Sequence, residues 1–545
     1  GIGVSCKGRD YARLEDVRGL TNAQRQRALN ALLNARILMG AVNETLTLAG
    51  AARSDADDVV IEIPPGLSLS IGDEVTGARL LTWGQDVEQR IHTALDSYLP
   101  PDSQSLPGEE QLDALEVVAA PNLRFRGEAI AEKTFVLFDD FHHFTPNQRR
   151  MLIADMLEIR RPVGVWVAER LEALQVDEML SEGVRMGRDL GMVVELEVAW
   201  RDSGSKLHSF MSDVADRRVK VADVDLESID TALRDPQEHR PPDEEMRDLL
   251  RAIDGVSART RELAASKPGY ETWLTDPSLN TGSPRDRAIA WRRMEILILR
   301  REGQAQKQFE FPEQPVTIDE LEGRDVPAIR EAAELFMCRE FGLPYYAGMK
   351  RITCMTSGNV EQFLDIAGDM FEEIAASVIM GRPPDLPAQR QHQLAKAWAK
   401  RQWDSIPACV PHGRGVQHLL RAIGQVCDDE TMRPSAPYAP GVTGIGLSIG
   451  DWQRLCAAGE VGAQADLRRL AQTLSSCVAQ NLLERREVQQ GRKDERKVVL
   501  YLNRWLCVHF SLPLGYGGWR LRHVNELTRW ADGRMPEKTN GGLFE

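Results

Sequence analysis

The sequence predicts an α/β core, then a mostly helical region, then a C-terminal region with strands of its own. Two short apolar segments rich in β-formers, residues 134–138 and 162–168, flank a helical pattern that starts at Pro146. Two buried strands joined by a helix indicate a βαβ unit with parallel strands. Near the C-terminus a helix over residues 467–480 is followed by a strand, a charged turn and a second strand. This order is typical of a winged helix.

The composition is that of a globular protein. A chain of 545 residues with 42% apolar and 27% charged residues is expected to hold three or so domains. No apolar run approaches the roughly 20 residues that span a bilayer, and no signal peptide is visible, so no membrane partner is expected. The eight cysteines are scattered without a C-x-x-C pair, which predicts free thiols and a cytoplasmic protein. The net charge of −15 argues against a protein that coats nucleic acid non-specifically.

The N-terminal part predicts elements that lead up to the core. Residues 1–5 form a strand pattern, and residues 22–48 have apolar residues at helical spacing. Residues 51–133 are expected to alternate acidic loops and modest helices, because Pro-Pro and Pro-Gly dipeptides interrupt them. Nowhere is there a G-x-x-x-x-G-K-[ST] motif, and the dipeptide Gly-Lys does not occur. Either the chain begins downstream of a phosphate-binding loop or it is a degenerate nucleotide-binding fold; an opening on a strand without methionine favours the first.

Two adjacent carboxylates follow the first buried strand. In P-loop NTPases such a pair is the Walker B element, at the strand ends where α/β sheets bind ligands. Asp139 would then hold Mg²⁺, and Asp140 would polarise the attacking water. The alternative is a turn and helix-cap pair without chemistry. A histidine metal site at the neighbouring His142 and His143 is not expected, because adjacent side chains point apart and no third ligand has suitable spacing.

The middle of the chain is helical and charged. Ser357 and Asn359 are good N-cap residues and predict a helix that starts near them. A helix N-terminus aimed at a nucleotide would contact phosphate, although capping alone explains the same residues. An arginine-rich helical stretch is expected to be a solvated face, with a phosphate-facing or partner-facing helix as the alternative. Its members are Arg285, Arg287, Arg292, Arg293, Arg300 and Arg301.

The predicted C-terminal hairpin has a polar, mildly positive tip. Residues 482–488 and 497–502 alternate as strands around it. A wing that touches DNA and a purely structural hairpin both fit this pattern. The basic residues that would contact DNA are Arg485, Arg486, Arg492, Lys493 and Arg496.

Four segments together resemble bacterial AAA+ ATPases of the origin-recognition-complex type. They are residues 135–144, residues 162–182, Ser357-Gly358-Asn359, and residues 501–504 with 512–514. The resemblance implies an AAA+-like P-loop core, a helical lid and a C-terminal winged helix, with ATP and Mg²⁺ as ligands. It also implies that Glu169 belongs to the sensor-1 region and that Arg188, before a predicted strand at 192–198, is an arginine finger, although an ordinary ion-paired arginine fits too.

The resemblance assigns Ser357 and Asn359 to the sensor-2 region, with two departures. Glu361 stands where an arginine is usual, and Asp140 is shorter than the usual glutamate, so a slow, switch-like ATPase is expected. The predicted domains are a core over 1–205, a lid over 206–380, a helical connector over 381–440 and a winged helix over 441–545.

Two functions remain open on the sequence. The first is an ATP-driven switch, expected to be a homo-oligomer, that engages double-stranded DNA or a partner protein, within a mobile-element or defence system. The alternative is a non-catalytic winged-helix adaptor that uses the nucleotide-binding fold as a scaffold.

Overall fold

The chain forms two compact units, Gly1–Val193 and Val194–Glu545, each with its own hydrophobic core. The predicted boundaries near residues 205, 380 and 440 stay predictions. The computed structural model describes residues 2–5, 10–67, 74–97, 106–158, 161–170, 194, 204–222, 224–236, 242–266, 269–308, 326–435, 441–458, 464–489 and 496–536.

The first unit contains a parallel and an antiparallel sheet. The parallel sheet has the order β1–β6–β7, so the predicted βαβ unit is confirmed, with β6 as the middle strand. Val136 and Phe138 of β6 are fully buried. The strands of this unit are β1 (Ile2–Ser5), β2 (Val59–Glu62), β3 (Glu74–Thr76), β4 (Leu123–Phe125), β5 (Glu128–Ala129), β6 (Thr134–Phe138) and β7 (Gly164–Val167).

Strand β7 is less buried than its sequence predicted. Trp166 is 63% exposed and Val167 is 40% exposed. Within the described residues β7 pairs with β6 on one side, and no described strand pairs with its other side. An apolar strand of this kind in a parallel sheet normally has both of its faces covered by other elements.

The antiparallel sheet was missed by the sequence prediction. Its order is β3–β2–β4–β5, and it lies in the stretch where only loops and modest helices were expected. Strands of two to four residues are too short to show a period-2 pattern, so they are visible only once they pair.

The helices of the first unit include one long, well-capped helix. Thr21 and Gln24 form a capping box at its start, and Gly50 ends it in the left-handed conformation, with φ of 63°. This confirms the helix predicted at residues 22–48. The helices are α1 (Asp10–Arg13), α2 (Asn22–Ala49), α3 (Gly77–Asp96), α4 (Ala114–Val117) and α5 (Pro146–Glu158).

The second unit is mainly helical, as predicted. None of the helices in the described part of the chain has the length and apolar character that crossing a bilayer requires. The helices are α6 (Gly204–Val221), α7 (Ile229–Ala232), α8 (Asp243–Ala265), α9 (Pro284–Gln308), α10 (Val326–Phe341), α11 (Met349–Met355), α12 (Val360–Ile379), α13 (Ala388–Cys409), α14 (Gly413–Thr431), α15 (Ile449–Ala457), α16 (Ala465–Ala479), α17 (Arg504–Phe510) and α18 (Val524–Ala531).

The arginine-rich helix α9 does not present a solvated face at every arginine. Arg285, Arg292 and Arg300 are buried. Arg292 forms an ion pair with Glu295, and the Arg300 Nε donates to the carbonyl of Ser435 at 2.9 Å. These cations fall on the inner side because α9 packs against both α8 and α10. The expectation of a solvated or partner-facing arginine row is therefore wrong for these three.

The C-terminal sheet has the order β11–β8–β10–β9. The predicted hairpin is confirmed, since β9 and β10 pair antiparallel with Val488 opposite Lys497. Strand β8 was missed, because glycines such as Gly444 and Gly446 are uncommon inside strands. Gly444 lies against the Leu500 carbonyl, so that a Cβ there would come within 2.8 Å of that oxygen. The strands are β8 (Val442–Ser448), β9 (Leu483–Gln489), β10 (Arg496–Leu502) and β11 (Gly518–Leu521).

A half-buried lysine connects α13 to the end of α17. The Lys396 ammonium donates to the carbonyls of Val508 and His509, at 2.7 and 2.9 Å, and to the Ser511 hydroxyl at 2.7 Å. It thus satisfies carbonyls at a helix C-terminus, where a cation is favourable. Burial lowers the pKa of Lys396 to about 8.

Candidate functional site at the end of the parallel strands

The carboxyl ends of β6 and β7 meet at one edge of the parallel sheet. Phe138 is opposite Val167, so Asp139 and Asp140 follow one strand where Glu169 follows the other. The backbone N–H of Phe141 donates to the Ala168 carbonyl at 3.0 Å, and the N–H of Ala168 donates to the Phe138 carbonyl at 2.8 Å. These bonds hold the loop after β6 against the end of β7.

The two aspartates adopt a tight turn. Asp140 has φ of 56°, a left-handed conformation that aspartate tolerates better than most residues. Its backbone N–H donates to the Asp139 Oδ1 at 3.0 Å. The Asp140 side chain is 43% exposed, so its carboxylate is accessible to a ligand at the sheet edge.

Buried aromatic rings anchor the loop from below. Phe141 and Phe144 are buried, with ring centroids 4.9 Å apart, and Tyr11 stacks on Phe144 at 4.4 Å. Phe141 opens a 3₁₀ turn, Phe141–His143, and residues three apart in such a turn lie on the same side. Both phenylalanines therefore face the core and leave the two histidines between them on the outer side.

The start of α5 is also fixed. The Thr145 hydroxyl accepts from the Gln148 N–H at 3.3 Å, and the Gln148 carbonyl oxygen Oε1 accepts from the Thr145 N–H at 3.0 Å. This reciprocal pair is a capping box, and it confirms a helix that starts at Pro146. The Gln148 amide also donates to the Tyr11 carbonyl at 2.7 Å. The candidate site is thus built on a rigid turn.

Glu169 is held by a buried arginine. The Arg149 Nη2 lies 2.5 Å from the Glu169 Oε2, and the Arg149 side chain is 4% exposed. The sequence prediction missed Arg149, although a signal existed: it stands three positions before the buried Leu152 on one helix face. The pair orients the Glu169 carboxylate and neutralises its charge beside the sheet edge.

The structure corrects the expectation about the two histidines. Asp140 supplies the third group that sequence spacing did not identify, with its Oδ1 3.8 Å from the His142 Nδ1. The rings of His142 and His143 have centroids 4.2 Å apart and a tilt of 44°, so they do not point apart. Ligand atoms of Asp140, His142 and His143 all lie within 4.8 Å of one another. These three residues could hold a metal ion.

The predicted sensor-2 residues lie in the second unit, where they make local structural bonds. Asn359 caps α12 by accepting from the Gln362 N–H at 3.1 Å, which confirms the predicted helix start. The Ser357 hydroxyl donates to the Asn503 Oδ1 at 3.1 Å and accepts from the Arg504 N–H at 3.4 Å. Their role toward a nucleotide stays a prediction.

The predicted DNA-contacting residues are placed only in part. Arg486 is ion-paired with Glu484 at 2.7 Å, and its guanidinium lies 4.6 Å from the centre of the Tyr516 ring. Arg485 is half-buried on β9, and Arg496 is exposed at the start of β10. Arg188, Arg492, Lys493 and all of the predicted strand at 192–198 except Val194 lie outside the described residues.

Comparison with known proteins identifies a related family. The sequence profile of the family described as ORC-CDC6-like matches residues 123–519, which is more than half of the chain. The matched range includes the Asp139–Asp140 turn, Glu169, the Ser357 segment and the C-terminal hairpin. No curated protein and no solved structure gives a match.

Proposed function

The chain belongs to the ORC-CDC6-like family, and from this premise we propose that it is an ATP-binding switch that hydrolyses ATP slowly. Membership relates it to the AAA+ ATPases of the ORC and CDC6 type. The observation that carries the proposal is the position of Asp139 and Asp140, directly after the middle strand of a parallel sheet. That edge is where α/β sheets bind ligands.

The residues at the edge fit a magnesium ion and a nucleotide. Mg²⁺ prefers oxygen ligands and is usually held by one or two carboxylates together with phosphate oxygens and water. Asp139 would hold the ion, which would neutralise phosphate charge when bound. Asp140 would accept a hydrogen bond from the attacking water and orient it. Because aspartate reaches less far than glutamate, we expect loose positioning of that water and a slow reaction.

Glu169 and Arg149 act as positioning residues in this proposal. A free carboxylate beside a triphosphate would repel it, and the ion pair with Arg149 removes most of that repulsion. Arg188 would serve as an arginine finger toward a neighbouring subunit of a homo-oligomer. Ser357 and Asn359 would act at the sensor-2 position.

The outer edge of β7 bears on the extent of the proposed nucleotide-binding sheet. Trp166 and Val167, on opposite faces of β7, are exposed, and no described strand pairs with the outer edge of β7. Unpaired apolar edge strands invite a further strand. We therefore expect that a further strand can pair at this edge.

The C-terminal part of the second unit supports a winged helix. Helix α14, strand β8, helices α15 and α16, and strands β9 and β10 follow one another in chain order, and β8 pairs with β10. In this proposal α16 and the hairpin engage double-stranded DNA or a partner protein, in a mobile-element or defence system. Arg485 and Arg496, with Arg492 and Lys493, would contact DNA phosphates, whereas Arg486 would mainly support Tyr516.

The alternative is a non-catalytic adaptor, which the absence of a Gly-Lys dipeptide favours. Calorimetric titration with Mg²⁺-ATP separates the two proposals when it is done on this chain, on a version extended upstream, and on the extended version with Asp139→Ala. We expect binding by the extended version and its loss or strong weakening with Asp139→Ala. Absence of binding in both unmodified forms would refute the switch and leave the adaptor.

A further inference from the structure

We propose that Asp140, His142 and His143 form a binding site for a divalent transition-metal ion of the zinc class. Within the described residues this is the one group of three or more histidine, cysteine, aspartate or glutamate side chains whose ligand atoms lie within 4.8 Å of one another. The site goes beyond nucleotide binding, and metal binding here does not depend on whether ATP is hydrolysed.

The backbone explains why the side chains of Asp140, His142 and His143 converge on one point. Asp140 turns in the left-handed conformation, and its carbonyl accepts from the His143 N–H at 2.9 Å. Phe141 and Phe144 occupy the core side of the 3₁₀ turn, so both imidazoles remain on the outer side with the Asp140 carboxylate. The buried phenylalanines and the bond from Phe141 to Ala168 fix this turn before any ion binds. Such preorganisation lowers the entropy lost on binding.

The distances are close to those of a metal centre. Two ligands at about 2.0–2.1 Å from a tetrahedral zinc ion stand roughly 3.4 Å apart. The Asp140 Oδ1 and His142 Nδ1 are 3.8 Å apart, so a small side-chain rotation brings them to that spacing. Three protein ligands would leave a fourth position for water, as in many zinc sites.

The donor set selects the class of metal. Two imidazole nitrogens and one carboxylate suit Zn²⁺, Fe²⁺, Ni²⁺ or Cu²⁺, whereas Mg²⁺ prefers oxygen ligands alone. The set therefore differs in chemistry from the magnesium site proposed at Asp139. One bound ion would offset the charge of the Asp140 carboxylate.

An ordinary histidine–aspartate pair does not explain the cluster. Two other histidine–aspartate pairs in the described part of the chain have a similar spacing: His523 lies 3.8 Å from Asp451, and His208 lies 3.9 Å from Asp230. Within the described residues neither has a third ligand near it. The His142 side chain is 14% exposed, against 79% for His523, so ligands at the Asp140 site compete less with water.

A metal at this site would also regulate the proposed ATPase. Because Asp140 would be a ligand, it would no longer be available to orient water, and turnover would fall. This consequence rests on the proposed function, whereas metal binding itself does not.

The test is calorimetric titration of the full chain with Zn²⁺ alone, after removal of any purification tag, repeated with excess Mg²⁺. We expect one strong site per chain that Mg²⁺ does not displace. Mutation of a residue that hydrogen-bonds to a metal ligand typically lowers metal affinity about 10–100-fold. His143→Ala and Asp140→Asn remove the ligands themselves, so each should lower the Zn²⁺ affinity at least about tenfold. Asparagine keeps the left-handed turn at this position, which preserves the backbone.

His523→Ala is the matched control, because it removes an equally spaced histidine–aspartate pair. Cys409→Ser removes an exposed thiol, the kind of group that could bind zinc non-specifically. Both should leave the affinity unchanged. Co²⁺ absorption gives a second signal: visible bands without a thiolate charge-transfer band indicate nitrogen and oxygen ligands. Equal affinity of the native chain and His143→Ala, with unchanged circular dichroism, would overturn the proposal.

The same experiments separate the two proposals. Zinc binding that needs Asp140 and His143, in a chain that binds no ATP even when extended, supports the metal site and refutes the switch. ATP binding without a zinc site that depends on His143 refutes only the metal site.

Discussion

Glu334 lies between two arginines in the second unit, and Glu334→Gln tests how strongly that buried ion pair stabilises the fold. The glutamate is 4% exposed, and its Oε1 lies 2.7 Å from the Arg285 Nη2. Its Oε1 also accepts from the Arg351 Nη1 at 3.1 Å, and the Arg351 Nη2 pairs with Oε2. Glutamine has the same shape but no charge, and its amide group would face a guanidinium, donor against donor.

The expected loss is large because a buried cation is left without its counter-charge. Breaking a buried ion pair from one side costs about 3–5 kcal/mol. Arg285 keeps the Pro344 carbonyl at 2.6 Å and lies 3.7 Å from Glu245, and Arg351 keeps the Tyr345 carbonyl. These remaining partners reduce the loss, so we expect a free energy of unfolding lower by about 3 kcal/mol.

Urea unfolding, followed by tryptophan fluorescence, measures the effect, since Trp273 and Trp291 lie in the core of the same unit. Asp466→Asn is the control: it breaks an ion pair with Arg469 whose side chains are 61% and 68% exposed, and should cost less than about 1 kcal/mol. A loss for Glu334→Gln no larger than that of the control would refute the reasoning.

The pH dependence gives a second check on the same residue. Burial by itself raises the pKa of Glu334, but the charges of Arg351 and Arg285 outweigh it, so the pKa lies below the usual 4.5. A lowered carboxylate pKa contributes stability above the unfolded value that is lost as pH falls through the folded value. The difference between the native chain and Glu334→Gln should therefore shrink below pH 4.5.

Three further predictions follow from other sites. Because burial lowers the pKa of Lys396 from 10.5 to about 8, the unfolded chain binds the proton more strongly between these values. The free energy of unfolding of the native chain should then rise above pH 8 relative to that of Lys396→Met, by at most about 1.4 kcal/mol per pH unit. Urea unfolding at pH 7, 8, 9 and 10 measures this difference, and a difference that stays constant would contradict the prediction. Gly444→Ala brings a Cβ against the Leu500 carbonyl and should cost about 1–3 kcal/mol in thermal unfolding, whereas Gly450→Ala, in open space on a helix, should be neutral or stabilising. Arg496→Ala should reduce the salt slope of binding to double-stranded DNA by about one; an unchanged slope would exclude this residue from the DNA contact.

Much of the candidate site was predictable from local sequence. Five consecutive uncharged residues rich in β-formers before Asp139 indicated a strand buried on both faces, and β6 is the middle strand of the parallel sheet. The N-cap at Asn359 and the β9–β10 hairpin were predicted for the same reason, because capping and period-2 alternation depend on residues close in sequence. Arg149 was missed because its partner Glu169 is 20 residues away.

The sequence by itself determined the elements whose signal is local: the middle strand with its two acids, the long helix from Asn22, and the C-terminal hairpin. Only the tertiary structure decided that glycine-rich residues form β8, since Gly444 allows the close approach of β10 and Gly446 makes room for the Trp519 ring of β11. Only the tertiary structure brought Asp140 beside His142 and His143, because the left-handed backbone at Asp140 and the two buried phenylalanines set the direction of these side chains. Such arrangements depend on which side chains the core accepts, and periodicity along the chain does not contain that information.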